Sequence, residues 1–155
     1  MPCTLSAYGD EFDVDRFLEH TTLEFYRVWH KGEPLLPRSK PEGPTTKSSG
    51  VMIEIGDRDE FDNLKVLVRA ATEYLRTHEA ELLKLGEAVG EKWFVLGFGI
   101  RWRAGIAVYT DGIPPELCLL AGRIGAWIAI DHYWMEEGKP TRRFPERGPV
   151  EDVQE

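Results

Sequence analysis

Leu117-Cys118-Leu119-Leu120-Ala121-Gly122-Arg123-Ile124-Gly125-Ala126-Trp127-Ile128-Ala129-Ile130-Asp131-His132-Tyr133-Trp134 contains two hydrophobic periods in direct succession. The first half, opened by Pro114-Pro115, reads as a short helix that stops at Gly125. From Trp127 the pattern becomes a strict two-residue alternation, the mark of a strand with two different faces. A helix that feeds straight into a strand makes this a mixed α and β protein. Ile128, Ile130 and His132 share one side of that strand, and Trp127, Asp131 and Tyr133 share the other.

Upstream, the same two periods alternate. Cys3, Leu5 and Ala7 alternate with Thr4, Ser6 and Tyr8 as a first strand. Asp13 is placed to cap a helix of about two turns carrying Val14, Phe17 and Leu18. Phe25 to His30 reads as a second strand, and Val51, Ile53 and Ile55 mark a third. Between them, Pro34, Pro37, Pro41 and Pro44 predict a long irregular loop over 32–50. Phe61, Leu64, Val68, Ala71, Leu75, His78, Leu82 and Leu85 form one helical stripe. The stripe is one helix broken near 77–79, with Thr77 as a cap, or two helices in sequence. Phe94, Leu96, Phe98, Ile100 and Trp102 form a strand, with Ile106 to Tyr109 as its hairpin partner.

The expected order is therefore β-α-β-β-α(α)-β-β-α-β, which predicts an α+β fold. Its sheet is mostly antiparallel, of about six strands, with helices on one face, in a ferredoxin-like or related arrangement. A single domain covers 1–135, and the charged, proline-containing segment 136–155 reads as a loosely held tail.

Totals set limits on function. The 155 residues are 42% hydrophobic and 11% aromatic, enough for one core without metal or disulfide support. A net charge of −8 disfavours nucleic acid and anionic membranes as partners and is compatible with a basic protein. Two cysteines, Cys3 and Cys118, make no disulfide framework, and no apolar run reaches membrane length or resembles a leader. The expectation is a reduced, cytoplasmic protein.

The strand alternations divide the sheet into two faces. Leu5, Val28, Ile53, Phe98, Val108 and Ile130 should lie under the helices. The opposite set is Tyr8, Arg27, Trp29, Glu54, Trp93, Arg101, Tyr109, Trp127, Asp131 and Tyr133. Tyr, Trp and Arg dominate binding surfaces because they give large contact area at low entropy cost. The mixed face is thus the candidate site, with Tyr8, Arg27, Trp29, Glu54, Arg101, Tyr109, Trp127, Asp131 and Tyr133 as its residues. Three uses remain open: a protein partner, a homodimer built sheet to sheet, or a small-molecule-binding domain or unrecognised enzyme. In the last, the pocket lies between this face and the 32–50 loop, with Arg27, Glu54, Arg101 and Asp131 as its polar groups. Cross-strand aromatic pairs that merely stabilise a solvated sheet are the structural alternative.

No catalytic pattern accompanies this face. Asp131 and His132 are adjacent on a strand and point to opposite sides, so they form no dyad. His132 reads as a satisfied, partly buried side chain, and Asp131 as the ion-pair partner of Arg27 or Arg101. His20, His30, His78 and His132 have no metal-ligand spacing, and Asp57 to Asp62 lacks the glycine and terminal glutamate of a calcium loop. Gly97-Phe98-Gly99 lies inside a strand and not at a phosphate-binding turn. No cofactor and no metal are expected.

The opening cysteine-containing strand, Trp29-His30-Lys31-Gly32-Glu33, Gly50 at the start of a strand, and the closing Leu117…Ala121…Gly125…Ile130-Asp131…Tyr133 carry a family resemblance. From about Cys3 to Tyr133 the chain resembles the bacterial family catalogued as domain of unknown function 4279. It departs at Val51-Met52, where that family more often carries an aromatic residue. The resemblance implies no activity that can be transferred residue by residue. It does suggest a small acidic interaction domain, of the kind that includes immunity partners of toxins.

Overall fold

The computed structural model describes residues 3–36, 40–56, 63–89, 93–101 and 111–133. Its elements in chain order are β1 (Cys3–Gly9), α1 (Val14–Leu18), β2 (Arg27–Trp29), β3 (Pro34–Leu36), β4 (Lys40–Thr45) and β5 (Ser49–Glu54). They continue with α2 (Leu64–Thr77), α3 (Glu79–Val89), β6 (Phe94–Arg101), α4 (Pro115–Arg123) and β7 (Trp127–Tyr133). The fold is α+β, with a five-stranded sheet in the order β2-β5-β1-β6-β7 and a separate two-stranded sheet, β3-β4. Every pairing in the main sheet is antiparallel except β6 with β7. Those two run parallel because the chain returns between them through α4.

Local chemistry explains the boundaries. The Asp13 side chain accepts the backbone N–H of Arg16 at 3.1 Å and starts α1. Asn63 does the same for α2, taking the N–H of Val66 at 3.3 Å. The expected break in the long helical stripe falls at His78, whose φ of −109° leaves the helical region, and not at a Thr77 cap. Helix α4 ends in a left-handed glycine, Gly125, at φ 73°. The N–H of Ala126 reaches the carbonyl of Ala121 at 2.8 Å, and that of Gly125 reaches Gly122 at 3.2 Å. This paired closure satisfies the last carbonyls and turns the chain into β7 within two residues.

Burial follows the alternation. Cys3, Leu5, Ala7, Val51, Ile53, Phe94, Leu96, Phe98 and Ile100 are sealed beneath the helices. They meet Leu67, Leu75, Leu82, Leu85, Leu117 and Ala121 from α2, α3 and α4. Val28 and Ile130 are only partly buried, since β2 and β7 are the edge strands. One close approach fixes how α3 meets the end of α4. A Cβ on Gly86 would fall 2.4 Å from the backbone oxygen of Ile124, so only glycine allows that contact.

The proline-rich stretch is a correction. It is not irregular throughout: Pro34 pairs with Thr45 and Leu36 with Lys40 in an antiparallel ribbon. Proline is tolerated because each strand of a two-stranded ribbon has one set of N–H positions that needs no ladder partner. Thr46 bridges the ribbon to the main sheet, donating its N–H to Glu33 and accepting from Gly32. Its hydroxyl donates to the His30 carbonyl at 2.6 Å. The ribbon thus prolongs the β2–β5 ladder beyond the last β1 pair, Gly9 with Ser49.

Other expectations shift in detail. The second strand is shorter than Phe25 to His30. Cys118 is exposed, while Cys3 is buried and its thiol is pushed up to about 12 by that burial. The hairpin partner at Ile106 to Tyr109, the acids Asp57 to Asp62 and the tail 136–155 lie outside the described residues. No helix among the described residues is long and apolar enough to cross a membrane.

Candidate functional site

Register places every described member of the candidate set on the face opposite the helices. Trp29 and Tyr8 both stand opposite Gly50, and Arg27 stands opposite Met52. Glu54 pairs with Thr4, Trp127 with Val95, Asp131 with Gly99 and Tyr133 with Arg101. Tyr109 lies outside the described residues.

The face has one dense region, at the end of β1. Gly50 leaves a gap that the Trp29 indole fills: a Cβ there would sit 2.3 Å from Trp29 Cζ2 and 2.6 Å from Tyr8 Cβ. The Tyr8 ring lies 6.3 Å from that indole and 5.3 Å from Trp93 on its other side. Burial between the two pushes the Tyr8 phenol up. The Arg27 guanidinium carbon lies 5.6 Å from the Trp29 ring centroid, a cation–π contact. Trp29, Tyr8 and Trp93 therefore form a continuous aromatic row, with Arg27 against one end.

Next to the row Ser6 lies between Met52 and Val95, and beyond them Thr4, Gly97 and Ala129 form a small floor. Trp127 stands at the β7 edge, 63% exposed. Arg101, Asp131 and Tyr133 lie at the far end, about 25 Å from the Tyr8 row at ~3.3 Å per residue of strand. The candidate residues thus share a face without forming one pocket. Asp131 is a diagonal neighbour of Arg101, whereas Arg27 is on the opposite edge strand, so the Arg27 alternative for its ion pair is excluded.

His132 faces the helix side, as the alternation requires, opposite Ile100. Its side chain keeps 34% of its surface and is partly buried, although it lies near the end of an edge strand. Its Nε2 is 3.4 Å from Asp111 Oδ2, a contact between segments that sequence alone does not bring together.

A second unforeseen cluster surrounds His30. Its Nδ1 lies 3.0 Å from Glu33 Oε1, and its Nε2 lies 3.0 Å from Asp15 Oδ1. Both ring nitrogens face carboxylates, so the doubly protonated ring satisfies both contacts. The Asp15 hydrogen bond first, and that of Glu33 second, raise the His30 pKa. The cluster ties α1 to the turn that begins the ribbon. Trp29-His30-Lys31-Gly32-Glu33 was a visible motif, but nothing in it points to Asp15.

Where β1 ends, a cleft of 390 Å³ opens between Gly9, Asp10, Glu11 and Phe12 on one side and Ala88, Val89 and Trp93 on the other. No group of three or more His, Cys, Asp or Glu side chains among the described residues is arranged to hold a metal ion. Comparison with family models, with curated proteins and with solved structures finds no match to this chain.

Proposed function

We propose that this chain is a non-enzymatic protein-interaction domain that binds a basic protein partner through the open face of its sheet. The observation that supports this reading is the aromatic row Trp29-Tyr8-Trp93, left uncovered by the helices, with Trp127 63% exposed on the same face. Aromatic side chains on a rigid sheet bury large area on contact and lose little entropy. A solvated sheet face would instead carry Thr, Lys and Glu. The charge of −8 supports a basic partner.

The interleaving of β1-α1-β2 with β5-α2-α3-β6, in the order β2-β5-β1-β6, supports an elaborated ferredoxin-like domain. In that reading the β3-β4 ribbon is an insertion, and α4-β7 is an extension at the edge. The resemblance to domain of unknown function 4279 and the acidic balance fit an immunity-type partner of a basic toxin, acting in the cytoplasm. The runner-up, a ligand pocket roofed by the proline-rich stretch, draws less support, since that stretch prolongs a hairpin and the polar groups Arg27 and Asp131 stand on opposite edges.

A photo-crosslinking residue at position 127, combined with light scattering at several concentrations, tests this reading. The expected result is a monomer that crosslinks to one basic protein, with Trp127→Glu abolishing its capture and leaving the melting temperature unchanged. A wild-type dimer that Trp127→Glu splits would assign the face to self-association and overturn the heterologous reading.

A further inference from the structure

The interaction surface has a chemically distinct end. Trp93 is 38% exposed and forms one wall of the cleft at the end of β1. Its indole packs against the Tyr8 ring, with centroids 5.3 Å apart. Asp10 and Glu11, both exposed, line the same cleft at the turn that leaves β1. Among the described residues no basic side chain pairs with either of them, whereas Glu81, Glu116 and Glu79 each have a Lys or Arg partner. Phe12, Ala88 and Val89 complete the lining, with Phe12 largely buried.

An indole, a few apolar side chains and two carboxylates lining one cleft match the parts of a lysine or arginine side chain. The shaft packs on apolar surface while the charged head reaches acids and a ring. The same aromatic row already holds one guanidinium, Arg27 against Trp29, at its other end. We propose that the cleft between Trp93 and Asp10-Glu11 receives a lysine or arginine side chain of the basic protein partner. The assignment rests on the interaction reading above and adds to it a point of attachment and the chemistry of the residue bound.

The test is a titration of the full chain with hexa-arginine peptide. It is followed by the indole N–H resonances, with Trp93 assigned through Trp93→Phe. The expected result is a saturable shift of the Trp93 resonance, with affinity lowered about tenfold by the double substitution Asp10→Asn, Glu11→Gln. A control double substitution, Glu19→Gln with Glu73→Gln, removes the same charge elsewhere and should change affinity by less than about twofold. Equal weakening by both pairs would mean that the peptide senses only overall charge, and would overturn the assignment. So would a Trp93 resonance that does not move. If either occurs while Trp127→Glu still abolishes crosslinking, the cleft assignment fails and the interaction face stands. Loss of the crosslink itself in the wild type would sink the broader reading. Melting temperatures of all variants guard against misfolding as the cause.

Discussion

Along β1, Cys3, Leu5 and Ala7 are almost fully sealed, while Thr4, Ser6 and Tyr8, interleaved with them, are partly open to solvent. The contrast continues across the sheet. On the helix side, Phe94, Leu96 and Phe98 are 0% exposed. On the other side, Trp93 and Trp127 retain more than a third of their surface. Both faces carry large apolar groups, so hydrophobicity alone does not separate them. They differ in cover: α2, α3 and α4 lie over one face, and no described helix lies over the other. Large aromatic side chains are therefore sealed in the core on one side and left in contact with solvent on the other.

Substitutions that probe each side should differ sharply in cost. Phe98→Ala removes a fully buried ring, and urea unfolding should show a loss of about 3–5 kcal/mol. A loss below about 1 kcal/mol would mean that the helix side is not the true core. Next come two glycines whose added methyl groups overlap neighbours to a similar degree. Gly86→Ala meets the backbone of Ile124, which can yield only if α3 and α4 separate, and should cost about 1–3 kcal/mol. Gly50→Ala meets the Trp29 ring, which can rotate away, but also the Tyr8 Cβ, which moves only with the β1 backbone, so it should cost a comparable amount, about 1–3 kcal/mol. Its signature should be a changed near-ultraviolet circular dichroism from the displaced indole. A Gly50→Ala cost below about 1 kcal/mol would show that β1 and β5 yield at this point more easily than α3 and α4 do.

Trp127→Glu should leave unfolding free energy within about 0.5 kcal/mol of wild type while abolishing partner binding. Trp29→Ala should likewise keep the fold. If it unfolds the protein, the aromatic row belongs to the structure and not to a binding surface.

The gentlest probe concerns His30, whose pKa is raised above 6.5 by Asp15 and Glu33. A raised value in the folded state means that the clamp contributes fully below the unfolded pKa and is lost as pH rises through the folded one. An NMR titration should place His30 above 6.5, and Asp15→Asn or Glu33→Gln should each bring it down. A titration at or below that value would remove the electrostatic link between α1 and the ribbon.

Much of this arrangement was readable in advance, and the reason is geometric. Successive strand residues point to opposite faces whatever the strand pairs with. Tyr8, Trp29, Trp127 and Tyr133 could therefore be assigned to one face before any neighbour was known. Helix ends were legible for a similar reason: Asp13, Pro115 and Gly125 act through bonds or torsions within a few residues of themselves. The ribbon was missed because dense proline is as compatible with a two-stranded ladder as with an irregular loop. Only the pairing of Pro34 with Thr45 decides between them.

The alternation and the caps belong to the chain alone, since each depends on residues close in sequence. Which strands are neighbours depends on how the whole chain packs. So do the parallel pairing of β6 with β7, the reach of Asp15 to His30, the need for glycine at Gly86, and the cleft that Trp93 lines together with Asp10 and Glu11. Those contacts join segments separated by many residues, and only the burial of one common core brings them together.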